Sequence, residues 1–262
     1  MKVFFKKTLK YLIIGLFWIV IWQILSSIIN LPLIFPSPIS VIYRFGQLLL
    51  SIDFYHKTFF SFIRIFIGIL IAVFSASFLA FICSLNKFIY DIFVPLISIM
   101  KSTPVVAFVF LVNIFIGSSK TVVFICFLMV FPIVFSNVYQ GIVSTDKDLL
   151  ELSKVYKIPF SKRLFALYLP SISPYFASSL LSSIGLAWKA GVAAEILCTP
   201  QISIGIEIFN SKTYFEYIDL FAWILTVVVL SMALEFITNK MLKIVLKKKQ
   251  LSMGLWYEDF GT

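Results

Sequence analysis

The sequence predicts an all-α membrane protein with six transmembrane helices. Of its 262 residues, 61% are apolar and only 13% are charged, and the mean hydropathy is +1.03. Soluble domains are nearer half apolar and about a quarter charged, so a soluble enzyme, a disordered chain and a collagenous chain are excluded. A transmembrane helix takes about 20 apolar residues, and a chain of this length therefore holds about six spans with short connections.

Six apolar runs carry this prediction, and each is expected to be helical because only an intrahelical hydrogen-bond ladder satisfies the backbone in lipid. They occupy residues 11–29, 59–85, 94–116, 122–143, 172–197 and 217–246. The first run resembles a signal peptide, but it has no A-x-A site and five further spans follow, which favours an uncleaved anchor. The predicted divisions are an N-terminal helix with an external connector, a transmembrane domain and a cytoplasmic tail, over 1–56, 57–246 and 247–262.

Basic residues predict the direction of the spans. With the N-terminus inside, fifteen Lys and Arg fall in the inner segments and four in the outer ones. Positive residues collect on the cytoplasmic side of membranes, so both termini are expected there. The net charge of +10 is interleaved with the spans and forms no groove. It therefore favours membrane lipid head groups over nucleic acid as a partner.

Cysteine and histidine give no sign of a metal or redox site. Cys83, Cys126 and Cys198 lie in or beside apolar runs without a CxxC spacing, which is typical of free, buried thiols. His56 is the single histidine, so we expect no metal centre. The sequence also has no Gly-rich phosphate loop and no pattern of catalytic residues, so we expect this chain to bind no cofactor and to catalyse no reaction of its own.

The longest polar stretch on the predicted inner side is the loop 144–171, where the pattern predicts two short helices. The predicted limits are a capping box of Thr145 and Asp148, a stop at Pro159, a second cap at Ser161 and a stop at Pro170. The first helix places four apolar side chains on one face: Leu149, Leu152, Val155 and Tyr156. Such a pair of helices cannot bury this face within itself. We expect it to press on lipid head groups, on the transmembrane bundle or on another protein.

The spacing of this loop resembles the EAA signature of ABC importer permeases, E-A-A-x3-G-x9-I-x-L-P. The matching positions are Glu151, Leu152, Ser153, Lys157, Leu167, Leu169 and Pro170. In that family the segment is a coupling helix seated on an ATPase subunit, and the resemblance implies the same role here. Lys157 replaces the signature Gly, which would adopt a positive φ at little cost, so Lys157 must accept that strain or turn differently.

Other stretches resemble the sulfonate, taurine, nitrate and bicarbonate branch of the same family. They are FPSP at 35–38, Ser61, Arg64 and Gly68, KSTP at 101–104, Gly117, Pro132 and Gly141, and AWKAGVAAEIL at 187–197. The resemblance implies the MetI-like fold of type I ABC importer permeases, in the cytoplasmic membrane of a prokaryote. It also implies a second permease copy as partner, an extracytoplasmic substrate-binding protein, and a pair of ATPase subunits that bind ATP and Mg. The implied cargo is an oxyanion, or alternatively a thiamine-pyrimidine precursor, riboflavin or another vitamin.

Ionisable groups within the spans are costly and are functional candidates by default. Lys189 suits the translocation path of an anion, or alternatively pairs with an acid on another helix. Glu195 matches an acid of the family, and we expect a gate or an interhelix contact. Arg64 either snorkels to the outer interface or ties the second span to its neighbours. Lys101 and Pro104 lie where the third run is broken and either line the inner gate or mark the inner interface.

The resemblance further implies helix contacts at four positions, namely Arg64, Gly68, Gly117 and Gly141. Two other classes of protein share some features of this sequence. An ion-coupled secondary transporter explains six spans and Lys189 but leaves the loop 144–171 unexplained. An intramembrane enzyme needs a nucleophile with a base, or a metal pair, and the spans contain neither pattern.

Overall fold

A computed structural model describes residues 2–31 and 33–259 of the chain, with side chains at 13–31, 33–242 and 244. The helices of the described chain are α1 (Lys2–Ile29), α2 (Pro38–Leu49), α3 (Ile52–Leu85), α4 (Lys87–Ser102), α5 (Val105–Ile116), α6 (Ser118–Val143), α7 (Lys147–Val155), α8 (Phe160–Arg163), α9 (Leu169–Cys198), α10 (Ile204–Thr213) and α11 (Tyr217–Asp259). A π-helical segment, Leu164–Tyr168, joins α8 to α9. The described residues contain no strand, and the predicted all-α class is confirmed.

Four stretches of helix in the described chain are long and apolar enough to cross a membrane: Ile52–Leu85, Ser118–Val143, Phe160–Cys198 and Tyr217–Leu242. The pair α4 and α5 adds a fifth span if the two helices are taken together. In α1 the apolar part, Ile13–Ile29, is shorter. Four or five of the six predicted spans are therefore present. The sixth span and the direction of all of them stay predictions, and the side chains of the tail 247–262 lie outside the described residues.

The core of the bundle is α6, with α3 packed on one side of it and α9 on the other. Small residues allow these backbones to approach closely, as is usual between membrane helices. A Cβ added to Gly68 of α3 would lie 2.5 Å from the Val123 carbonyl oxygen of α6. A Cβ added to Gly141 of α6 would lie 3.0 Å from the Ile172 Cα of α9. Gly68 and Gly141 thus lie at the two main helix contacts.

Gly117 behaves differently from those two glycines, and the predicted helix contact there is wrong. A Cβ on Gly117 would meet nothing within 4 Å in the described chain. The residue ends α5 and begins α6 with φ of +77°, a conformation that side chains with a Cβ rarely adopt. Gly117 is therefore needed for the turn between two helices.

The third apolar run is bent by 102° between α4 and α5. The bend follows from Pro104, which has no N–H and begins the second helix as its N-cap. Thr103 closes α4 by donating its N–H to the Ile99 carbonyl at 3.0 Å. The break predicted at this proline is therefore present. The run also starts earlier than predicted, since α4 begins at Lys87.

The loop 144–171 contains the first predicted helix, α7, but its limits differ from the prediction. Asp146 caps α7 by accepting from the N–H groups of Asp148 and Leu149, so the expected cap at Thr145 is wrong. The chain leaves the helix at Val155, four residues before the expected stop at Pro159.

The second predicted helix is not a separate element. Pro159 precedes α8 without a side-chain cap, so Ser161 is not the cap. The chain then continues through the π-helical segment into α9, and Pro170, which has no N–H, follows that segment directly in the first turn of α9. The expected stop at Pro170 is therefore wrong, and one nearly continuous helix runs from Phe160 to Cys198.

At the end of the bundle opposite α7, ion pairs attach the short helices to the long ones. Arg44 of α2 donates to both carboxylate oxygens of Asp219 in α11, at 2.5 and 2.8 Å. The hydrogen bond to Asp219 raises the pKa of Arg44 above its ordinary value, against the opposing effect of burial. Lys57 of α3 bridges to Glu207 of α10 at 2.9 Å.

We predict that Gly68→Ala destabilises the protein, because the added methyl group would overlap a backbone carbonyl that cannot move independently of α6. Overpacking of this kind costs about 1–3 kcal/mol. Thermal unfolding in detergent would measure it. The matched control is Gly46→Ala in α2, where a Cβ meets nothing within 4 Å and the midpoint should not fall. Equal midpoints for the two variants would contradict the close α3–α6 contact.

Candidate functional site

The helix α7, the turn at 156–159 and α8 form a projection from the bundle that we call the elbow. Nearly all of α7 is exposed, and so are the four apolar side chains predicted to share a face, of which Tyr156 directly follows the helix. Val155 and Tyr156 are 76% and 72% exposed. The described bundle does not cover this face, so it is available to a surface outside the chain.

The turn at the end of α7 has the hydrogen bonds of a Schellman motif. Lys157 donates its N–H to the Lys154 carbonyl, and Ile158 donates to the Ser153 carbonyl at 2.9 Å. Lys157 occupies the position that needs a positive φ, and its φ is +52°. The lysine therefore adopts the conformation expected of the signature glycine, despite its side chain.

Glu151, Leu152 and Lys157 lie exposed on the elbow. Ser153, at an alanine position of the signature, is buried and donates its hydroxyl to the Leu150 carbonyl at 2.7 Å. The rest of the signature lies beyond the elbow. Leu167 belongs to the π-helical segment, Leu169 and Pro170 to the first turn of α9, and all three are half-buried. The signature thus extends from the exposed elbow into the start of a span.

Glu195, near the end of α9 farthest from the elbow, is fully buried and joins three helices. Its carboxylate accepts from Ser61 Oγ at 2.7 Å and from Arg64 at 2.9 Å, both in α3. It also accepts from the Gly205 N–H in α10 at 3.3 Å. Arg64 additionally donates to the Ile202 carbonyl at 2.6 Å. Glu195 is therefore an interhelix contact, and Arg64 ties α3 to its neighbours.

Lys189 lies on the one face of α9 that is exposed along most of its length. This face carries Pro174, Ser178, Ser182, Leu186, Lys189, Ala193 and Leu197. The exposed face of α3 carries Phe66, Leu70, Phe74 and Phe78 instead. Large apolar side chains suit lipid, whereas two serines and a lysine do not. Lys189 has no acid partner in the described part of the chain, and it does not pair with Glu195.

Lys101 is exposed at the end of α4, beside the bend. Its ammonium donates to Ser136 Oγ of α6 at 2.8 Å, and the ion pairs of the described residues do not include it. Pro104 is also exposed at the bend.

Several residues that form these contacts were not predicted from the sequence. They are Ser136, Ser178, Ser182 and the ion pairs of Arg44 with Asp219 and Lys57 with Glu207. The serines of α9 repeat at a four-residue interval, a signal that could have been read as one helix face. The ion pairs join residues more than 140 positions apart, and local spacing carries no signal for them. No three His, Cys, Asp or Glu side chains among the described residues are placed to hold a metal ion.

A membrane-embedded helical bundle with a lysine on a polar face and an exposed elbow has the features of a membrane transport subunit. The family model described as binding-protein-dependent transport system inner membrane component matches residues 65–250. This match covers more than half of the chain, so the chain belongs to that family, and the predicted resemblance is confirmed. The chain is a multi-pass permease component of an ABC importer.

Similar proteins come from the branch that the sequence predicts. The nitrate import permease protein NrtB of Synechocystis sp. is 28% identical over 74% of this chain and 73% of its own length. The bicarbonate transport system permease protein CmpB of Synechococcus elongatus is 28% identical over 74% of this chain and 73% of its own length. SsuC of Bacillus subtilis, named for aliphatic sulfonates transport, is 22% identical over 83% of this chain and 79% of its own length.

We predict that Arg64→Met strongly destabilises the protein, because it leaves the buried Glu195 carboxylate without its cationic partner. Breaking a buried pair from one side costs about 3–5 kcal/mol. The control is Lys57→Met, which breaks two ion pairs, with Asp53 and Glu207, whose acids are 65% and 24% exposed; it should cost below about 1 kcal/mol. Thermal unfolding in detergent compares the two. A larger loss for Lys57→Met would contradict the assignment of Glu195 as the main contact.

Proposed function

We propose that this chain moves a small oxyanion, such as nitrate, bicarbonate or a sulfonate, across the cytoplasmic membrane. Family membership supports the transport role, and the cargo class is drawn from the names of the similar proteins. Lys189 supports an anion in particular. Its positive charge lies within a span, exposed and without an acid partner in the described chain, where it is free to meet a passing negative charge.

The elbow is the observation that carries the proposed mechanism. Its apolar face is exposed, its turn has the positive φ of the signature, and its sequence keeps every spacing of the coupling helix. We infer that a groove in a separate ATPase subunit covers this face. ATP and Mg then bind to the ATPase pair, and this chain receives the resulting movement through the elbow.

The elbow then lies on the cytoplasmic side, which agrees with the excess of basic residues predicted for that side. In this arrangement both termini are cytoplasmic and α1 supplies the sixth span. The α2 and α10 end faces outward, where a substrate-binding protein delivers the anion. The polar face of α9 forms one wall of the path, and a second copy of this chain supplies the facing wall.

For Glu151→Ala we predict the loss of ATP hydrolysis that is coupled to transport. The reason is that the substitution removes a charge-assisted hydrogen bond from the exposed carboxylate to the ATPase. Such a bond is worth about 1.5–3 kcal/mol, so the stimulated rate should fall about tenfold or more. Measurement requires the complex reconstituted with its ATPase and loaded binding protein. Asp148→Ala is the control, because it removes an exposed acid from the same helix at a position outside the signature. An unchanged rate in the Glu151 variant would remove the coupling role.

Lys189→Ala is expected to weaken anion uptake while leaving assembly with the partners intact. Loss of one charge-assisted contact of about 1.5–3 kcal/mol predicts a decrease of about tenfold or more in uptake. Lys189→Arg retains the charge and should keep most of the uptake. The assay is ATP-driven uptake of nitrate, bicarbonate and methanesulfonate into proteoliposomes, with co-purification as the test of assembly. Lost assembly with normal uptake per assembled complex would make Lys189 a structural residue.

A further inference from the structure

We propose that Lys101 forms a second binding position for the transported oxyanion, nearer to the elbow than Lys189, and this inference rests on the proposed function. Lys101 is exposed at the end of α4, and its ammonium meets the hydroxyl oxygen of Ser136 at 2.8 Å. Within the part of the chain that the structure describes, no carboxylate pairs with it. Its positive charge is therefore not neutralised and is available to an anion.

The backbone around Lys101 indicates that this lysine faces water. Pro104 lacks an N–H, so a carbonyl of the last turn of α4 loses its helical donor. The hydroxyls of Ser102 and Thr103 both donate to the Ile99 carbonyl. The other carbonyls of that turn therefore receive no hydrogen bond from these two hydroxyls. Irregular backbone at membrane depth is tolerated only where protein covers it or where it lines water. Because Lys101, Ser102 and Pro104 are exposed, we infer that the bend lines a water-filled part of the path.

The two lysines lie at different depths along α6. Cys126 Sγ of α6 donates to the Ala187 carbonyl at 3.6 Å, so Lys189 lies close to the level of Cys126. Lys101 contacts Ser136, which follows Cys126 by ten residues. At 1.5 Å per residue these levels are about 15 Å apart. A single small oxyanion cannot contact both ammonium groups at once, so the two positions would be occupied in turn.

Ser136 gives Lys101 a partner that an anion can replace. The Ser136 hydroxyl donates its own hydrogen to the Pro132 carbonyl at 2.8 Å and accepts the lysine with its oxygen. This contact pairs an ammonium with a neutral oxygen. An oxyanion would form a charge-assisted hydrogen bond with both partners charged, which is the stronger kind. When the anion leaves, the Lys101 ammonium donates to Ser136 again, so this donor does not stay unpaired.

The first test measures water access and anion binding at the bend without changing Lys101. Ser102→Cys should react with an anionic methanethiosulfonate reagent in the assembled complex, and millimolar nitrate should slow that reaction. The control is Phe78→Cys, which is exposed on the apolar face of α3 seven residues before its end, as Ser136 is seven residues before the end of α6. The unsubstituted chain, with Cys83, Cys126 and Cys198 buried, gives the background. Labelling no faster than at residue 78, or no protection by nitrate, would overturn the proposal.

The second test measures ATP-driven uptake of nitrate, bicarbonate and methanesulfonate by the reconstituted complex. Lys101→Met should lower uptake about tenfold, whereas Lys101→Arg, which retains the positive charge, should stay within about twofold of the parent. A parent complex that takes up none of the three anions would overturn the proposed cargo and this inference together. A parent that transports an anion as fast as its Lys101→Met variant would overturn this inference alone. If Lys101→Met does not assemble, protection of Ser102→Cys by nitrate decides.

Discussion

The buried contact between Glu195 and Arg64 constrains the arrangement of the bundle more than any other described interaction. A carboxylate with no exposed surface at membrane depth is tolerated only when its oxygens are fully satisfied. Glu195 meets that condition with donors from α3 and α10, and Ser61 also accepts from the Ile204 N–H at 2.9 Å. Rotation of any one of these helices would leave a buried charge or donor without its partner. The end of the bundle far from the elbow therefore has one favoured packing.

This constraint determines where the protein can move. The helix from Phe160 to Cys198 is fixed to α3 and α10 at one end and reaches the elbow at the other. A displacement of the elbow therefore tilts this whole helix as a rigid body, unless a more flexible segment of the chain bends instead. The described chain has two such segments. One is the π-helical turn Leu164–Tyr168, where the α-helical hydrogen-bond pattern is interrupted, and the other is the bend at Thr103 and Pro104. The bend lies beside Lys101, so a movement there changes the surroundings of the proposed anion path.

Features that depend on local pattern were predictable from the sequence, whereas those that depend on tertiary contacts were not. Apolar runs predicted four or five spans that the described chain contains, and the spacing from Glu151 to Pro170 indicated the family. The start of α7 differs from the prediction because Asp146, and not Thr145, is the cap. The aspartate accepts hydrogen bonds from two N–H groups and so satisfies the start of the helix. The contact of Ser61 with Glu195 joins residues 134 positions apart, which no local periodicity encodes. Pro170 was predicted to be a stop, but the helix continues past it directly after a π-helical segment, which the local pattern did not indicate.

Lys157 shows which part of the coupling signature the elbow requires. A left-handed conformation costs a residue with a Cβ about 1–2 kcal/mol, so a lysine there has to be held by its surroundings. The two hydrogen bonds of the turn, from Lys157 to Lys154 and from Ile158 to Ser153, supply that restraint, because each satisfies a carbonyl that the end of α7 would otherwise leave open. The lysine side chain also causes no steric overlap with the bundle, because the turn is exposed. The spacing of the signature, which places the turn after α7, is therefore the essential feature, and glycine is the residue that meets it at the lowest strain.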